Sequence, residues 1–149
     1  MQKFTVFLAM SLLFVLPAQA DIMAMKPEIK LGIGARPAVM FAMIHNKGAA
    51  TRLVSAQSPD FERIELHTHQ TDPNGTMRMV QVDDFQVPAN AILALTSGGH
   101  HLMLFGFRGK KGEDVKIELN FANGETLTVR TRPSQRAKAV HDSMHHRPH

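Results

Sequence analysis

Three short segments of this chain carry imidazole and thioether side chains that could converge on a metal ion: Glu65-Leu66-His67, Met77-Arg78-Met79 and His101-Leu102-Met103. The sequence contains no cysteine. Thioethers are soft, weak donors with little affinity for Zn²⁺, Mg²⁺ or Ca²⁺, but they suit Cu(I). A His/Met set without thiolate therefore points to reversible copper binding. Cu(I) carries a single charge and accepts few, neutral donors, so no proton need leave a thiol. Weak thioethers also let the metal pass on to a thiolate acceptor. The missing cysteine excludes a disulfide scaffold, a nucleophilic thiol and the blue-copper electron-transfer site, which needs a Cys ligand.

The spacing gains weight from strand parity, because residues two apart in a strand share a face. Ile64 and Leu66 fall on one face, with Glu65, His67 and His69 on the other. Val80 and Val82 oppose Met77, Met79 and Gln81, and Leu102 and Leu104 oppose His101 and Met103. Three segments thus set their donors opposite their aliphatics, so the aliphatics can fill a core while His and Met project away from it. The expected metal ligands are His67, Met79, His101 and Met103, with His69 and Met77 as spare donors. His100 has the other parity and reads as surface. His45 reads as structural, Met40 and Met43 as core, and Met23 and Met25 as an unstructured start that could add a soft contact.

The elements that must position these residues are short. β-branched and apolar runs cover Glu28–Ile33, Ala38–His45, Arg52–Ala56, Phe61–His67, Met77–Val82, Ala91–Thr96, His101–Phe107, Val115–Phe121 and Thr126–Arg130. Turn residues separate them, including Asn46-Lys-Gly48, Asp72-Pro-Asn-Gly75, Ser97-Gly-Gly99 and Asn123-Gly124. Asn-Gly pairs tolerate positive φ and suit hairpins. Short strands at this spacing predict a two-sheet antiparallel β-sandwich. No stretch has a helical period.

Residues 1–20 read as a signal peptide: Lys3, an apolar run from Phe4 to Leu16, then Ala18-Gln19-Ala20. The run is shorter than the roughly 20 residues of a membrane span. Cleavage would leave a chain of about 129 residues starting at Asp21, enough for one domain over 21–133 and with no membrane span. Removing Lys3 lowers the formal charge from +4 to +3. Basic residues cluster late, around Arg108–Lys111 and Arg130–Lys138, but no aromatic residue interleaves with them. Nucleic-acid binding would require that interleaving, so no nucleic-acid partner is expected.

The pattern stops at Pro133, and 134–149 reads as a flexible tail with few apolar residues. His141, Met144, His145, His146 and His149 make it a second candidate metal site, suited to Cu(II) through its imidazoles. Neither a Ser/His/Asp arrangement nor a carboxylate cluster is evident, so the chain does not read as an enzyme.

Taken together, these residues resemble the periplasmic PCu(A)C-type copper chaperones, whose motif is H(M)-x10-M-x21-H-x-M. Met79, twenty-one intervening residues and His101-Leu102-Met103 match its second part. Glu65-Leu-His67, Met77-Arg-Met79, Val87-Pro-Ala89 and Gly98–Leu104 are similar to further signatures, and the likeness spans about Ile29 to Arg132. The departure is that eleven residues, not ten, separate His67 from Met79. The extra residue falls in the Gln70–Thr76 loop, which leaves open whether His69 replaces the optional Met. The resemblance implies a cupredoxin-like Greek-key β-sandwich in the periplasm that holds Cu(I) with two His and two Met. It further implies delivery to the dinuclear copper centre of cytochrome c oxidase, or to another copper-transfer protein. Copper sequestration for tolerance or storage, and a structural β-sandwich without metal, are the alternatives.

Overall fold

The computed structural model describes residues 21–135, and all regular structure in this range is β. The expected leader, and the tail residues His141, Met144, His145, His146 and His149, lie outside the described residues. Eleven strands form two packed sheets: β1 (Ile22–Leu31), β2 (Ala38–Asn46), β3 (Thr51–Gln57), β4 (Phe61–Thr71), β5 (Met77–Gln81), β6 (Phe85–Val87), β7 (Ala91–Leu95), β8 (His101–Phe107), β9 (Val115–Phe121), β10 (Thr126–Thr131) and β11 (Ser134–Gln135). The larger sheet runs β11-β1-β2-β8-β4-β5, with β7 also paired to β2, and the smaller runs β10-β9-β3-β6. The chain crosses between the sheets repeatedly, and this is the expected cupredoxin-like Greek-key sandwich. All pairs between these strands are antiparallel except β1 with β11. The larger sheet therefore takes in Ser134 and Gln135, two residues beyond the expected end of the domain at Pro133.

The core lies between the sheets and is filled by alternate residues of each strand. Met40, Ile44, Leu53, Phe85, Leu102, Leu104, Ile117 and Leu119 are all buried there. Asn46 is the polar exception. Its Nδ2 donates to the carbonyls of Ala49 (2.8 Å) and Pro88 (3.1 Å), and its Oδ1 accepts from the Gly48 amide (2.9 Å). It ties the end of β2 to the two loops that leave the sheet, and a buried polar group so satisfied carries little penalty.

Two turns decide where the donors sit. Between β4 and β5, Asp72 Oδ1 accepts from the amides of Asn74 (3.0 Å) and Thr76 (2.9 Å), and Gly75 takes a φ of 82°. This Asx-type turn absorbs the extra residue in the His67–Met79 spacing. It fixes a register in which His69 faces Met79 and His67 faces Gln81. Between β7 and β8, Thr96 N donates to His100 O (2.8 Å) and Gly98 has a φ of 81°. That turn delivers Gly99 and His101 to the start of β8.

Three expectations need correction. Met23 and Met25 are not an unstructured start but part of β1, paired with His45 and Met43. Met43 is not in the core. It lies on the outer face of the larger sheet, opposite in parity to the buried Met40 and Ala42. The short strand β6 was not among the expected strands, because its three residues are too few to show an alternation.

Candidate metal centre

The three donor segments come together on the outer face of the larger sheet. β8 lies between β4 and β2, and β5 is hydrogen-bonded to the far side of β4 at the sheet's edge. His67 is directly opposite His101, and Met103 is opposite Glu65. Across the next pairing, Met79 is opposite His69. Cross-strand partners share a face, so His67, His69, Met79, His101 and Met103 all project from one side. The aliphatics Leu66, Leu102 and Leu104 project into the core, as parity predicts.

His101 is the best-defined donor. It is 3% exposed. Its Nδ1 lies 2.9 Å from the Gly99 carbonyl, which can only accept, so Nδ1 carries the proton. Nε2 then bears a lone pair and faces Met79 Sδ at 3.1 Å. Burial holds the His101 pKa below the ordinary 6.5, opposed by the Gly99 hydrogen bond and assisted by the neighbouring His69 and His67. The ring is therefore neutral at pH 7. Two lone-pair atoms meet at this contact with no proton between them, which is a place for a cation.

His67 is prepared in the same way from the other side. Its Nε2 donates to Glu65 Oε2 (2.8 Å), and Glu65 Oε1 accepts from Arg63 Nε (2.6 Å). Hydrogen bonds from His67 and Arg63 hold the Glu65 carboxyl below its usual range. Arg63 in turn lies over the Phe105 ring, 4.2 Å from its centroid. The chain Phe105–Arg63–Glu65–His67 fixes the imidazole by its Nε2, and in the neutral ring this leaves the lone pair on Nδ1. That atom is buried and has no hydrogen-bond partner among the described residues. Such an acceptor-held imidazole is how metal-binding histidines are generally oriented.

The His67 and His101 ring centroids are 6.0 Å apart, and those of His69 and His101 are 5.3 Å apart. Met103 is 8% exposed and Met79 47%. A cavity of about 420 Å³ opens at this point, and Phe41, His69, Met79, His101 and Met103 are among the residues lining it. His67 is not part of that lining. Met77 is 62% exposed and faces Thr71, one step farther out along the hairpin. The structure brings His67, His69, Met79, His101 and Met103 together and leaves Met77 outside. Among the described residues, no group of three or more His, Cys, Asp or Glu converges as a metal site. Thioethers would have to supply part of any metal-donor set on this face, which is the chemistry of a soft ion.

Parity reasoning did not assign a part to Glu65, Gly99 or Phe41. Glu65 shares the face of His67 two residues away, and that spacing was the available signal. The Gly99 carbonyl left no mark in the sequence. The ring of Phe41 lies 6.5 Å from that of His101 and forms an apolar wall.

Two consequences can be measured. Glu65→Gln should weaken Cu(I) binding about tenfold, the lower end of the effect of removing an orienting partner. Chelator competition reads this, and an unchanged affinity would contradict the orienting role. The second concerns pH. The folded pKa of His101 is depressed, so the unfolded chain binds its proton first. The stability contribution is full above pH 6.5 and is lost as pH falls through 6.5 towards the folded value. Urea midpoints of the apo protein should therefore fall over that window, and His101→Gln should flatten the slope. An identical slope in the variant would remove His101 as the cause.

The chain is similar to known proteins in both sequence and fold. The family described as "Putative lipoprotein LpqE-like" matches residues 17–132. The protein Lxx21020 of Leifsonia xyli subsp. xyli carries the same lipoprotein description. It is 30% identical over 115 residues, which cover 74% of this chain and 69% of that protein. The solution structure of CuI-DR1885 from Deinococcus radiodurans is 28% identical with a TM-score of 0.54, over 72% of this chain and 74% of that one. The copper-bound PCuAC domain from PmoF2 shares the fold, with a TM-score of 0.64 at 18% identity over 80% of this chain and 97% of that domain. The chain belongs to the LpqE-like family, and its domain is a PCu(A)C-type β-sandwich.

Proposed function

We propose that this protein is a copper chaperone that binds one Cu(I) through His67, Met79, His101 and Met103. The observation that carries the reading is the contact of His101 Nε2 with Met79 Sδ, two unprotonated donors turned towards each other. The orphaned Nδ1 of His67 and the position of Met103 on the same face support it. The copper-bound state named for CuI-DR1885, a relative at 28% identity, points the same way.

The arrangement suits carrying better than storage. His101 and Met103 are buried, whereas Met79 is half exposed on the edge strand β5. An incoming thiolate would displace the Met79 thioether first, while the two imidazoles and Met103 hold the ion. His69, opposite Met79, can take up the vacated position during the exchange.

We place the protein in the periplasm, exported by residues 1–20, with a domain that runs from 21 through β11. The acceptor we propose is the dinuclear copper centre of cytochrome c oxidase. Its relatives are described as lipoproteins, but this sequence has no cysteine to carry a lipid. Among the described residues no helix is long and apolar enough to cross a membrane. The tail beyond β11, with His141, Met144, His145, His146 and His149, acts as a separate, weaker Cu(II) site. Its histidines must be neutral to bind, so that occupancy should fade as pH drops towards about 5.

The test is a transfer experiment. Cu(I)-loaded protein is mixed with the apo copper domain of the oxidase subunit, and the dinuclear centre is followed by its absorption after oxidation. Transfer of the single equivalent is expected. Retention of Cu(I) by this protein in the presence of excess acceptor would overturn delivery and favour sequestration.

A further inference from the structure

The same outer face carries a second group of soft donors that the site above does not use. In the β1–β2 hairpin, Met23 is directly opposite His45 and Met25 directly opposite Met43. The two pairs are adjacent along the ladder, separated only by the inward-facing pair Ala24 and Ile44. Directly opposed side chains start about 4.5–5.5 Å apart at Cβ, within reach of long flexible thioethers. Three thioethers and one imidazole thus share one patch. Met23 and Met25 are each 37% exposed, and Met43 and His45 are half-buried.

The strand is built to keep these methionines outside. A β-bulge shifts the register between Met25 and Glu28, and Lys26 takes a φ of 50° there. Positive φ is uncommon for a residue other than glycine. Before the bulge Ile22 is buried and Met23 and Met25 face out, whereas after it Ile29 is buried. A bulge re-aims side chains in this way. Without it, the alternation that buries Ile29 would turn Met23 and Met25 inward.

We propose that Met23, Met25, Met43 and His45 form a second soft-metal site that binds its own Cu(I). Its donors are neutral, so a monovalent soft cation suits them and a hard divalent ion does not. The site borders the first one. Phe41, two residues before Met43 on the same face of β2, separates it from His101. Copper would enter this patch without competing for Met79 or Met103. The proposal does not rest on the first site being a copper site.

The test uses the mature full-length protein, with ¹³C-methyl-labelled methionines and Ag(I) as a redox-inert stand-in for Cu(I). The Met23, Met25 and Met43 methyl resonances should shift on titration, with Met144 reporting separately on the tail. Met25→Leu/Met43→Leu, a volume-conserving change on a partly exposed face, should lower bound Ag(I) by one equivalent and leave the Met79 and Met103 shifts intact. The same loss is expected in a Met79→Leu/Met103→Leu background, so failure of the first site would not hide the second. Unmoved Met23, Met25 and Met43 methyls, or unchanged stoichiometry in the Met25/Met43 variant, would overturn the proposal and leave the patch an apolar surface.

Discussion

Replacing Met79 and Met103 together by leucine should lower the affinity for the first Cu(I) by about a hundredfold or more. Each replacement removes one of four donors, and a loss of roughly 1.4 kcal/mol per donor already gives tenfold each. The fold should survive, because Leu and Met have similar volumes and such swaps usually cost less than about 1.5 kcal/mol. Met79 is half exposed, and Met103 lies on the outer face of the larger sheet, away from the core between the sheets. Met77→Leu is the internal control. Met77 faces Thr71 and lies outside the cavity, so its replacement should change affinity by no more than about twofold. Chelator competition on the three proteins separates the cases. Equal affinities in wild type and the double variant would remove both thioethers from the site.

The second large effect concerns the scaffold. Leu102 lies between His101 and Met103, is fully buried, and faces Met40 and Leu66 across the two neighbouring strands. Leu102→Ala should destabilise the apo protein by about 2–5 kcal/mol, through lost burial and the cavity left behind. Its neighbours on the opposite face keep their donors, so the variant should still bind Cu(I) once folded. Saturating metal should therefore restore part of the loss, about 2.7 kcal/mol when free metal is 100 times the dissociation constant. Urea unfolding without metal and with free Cu(I) buffered at about 100 times the dissociation constant measures both numbers. A variant as stable as wild type would show that Leu102 is not a core residue. The parity that turns His101 and Met103 outward would then be wrong.

Much of this was legible because alternation in a strand is a strong constraint. Leu66, Val80, Leu102 and Leu104 could not all face inward without turning His67, Met79, His101 and Met103 to the other side. Asn123-Gly124 gave its hairpin directly, and Gly124 has a φ of 89° between β9 and β10. The first half of β1 was hidden because Lys26-Pro27 looks like a break, whereas it is a bulge that the strand runs through. Met43 was misplaced for the same reason: its outward partner, Met25, was not seen to be in a strand. β6 has only three residues and no alternation long enough to read. The Gly99 carbonyl holds His101 through backbone placement, which depends on the turn at Gly98 and not on any side chain. The Arg63–Glu65–His67 chain depends on side-chain rotamers that spacing alone does not specify.

The most direct measurement is X-ray absorption at the copper edge on mature protein loaded with one equivalent of Cu(I). The account predicts both imidazole nitrogen and thioether sulfur in the first shell. In a Met25→Leu/Met43→Leu background, which removes two thioethers of the second patch, it also predicts that adding Met79→Leu/Met103→Leu makes the sulfur contribution fall sharply. A first shell of nitrogen and oxygen only, unchanged in that variant, would contradict it.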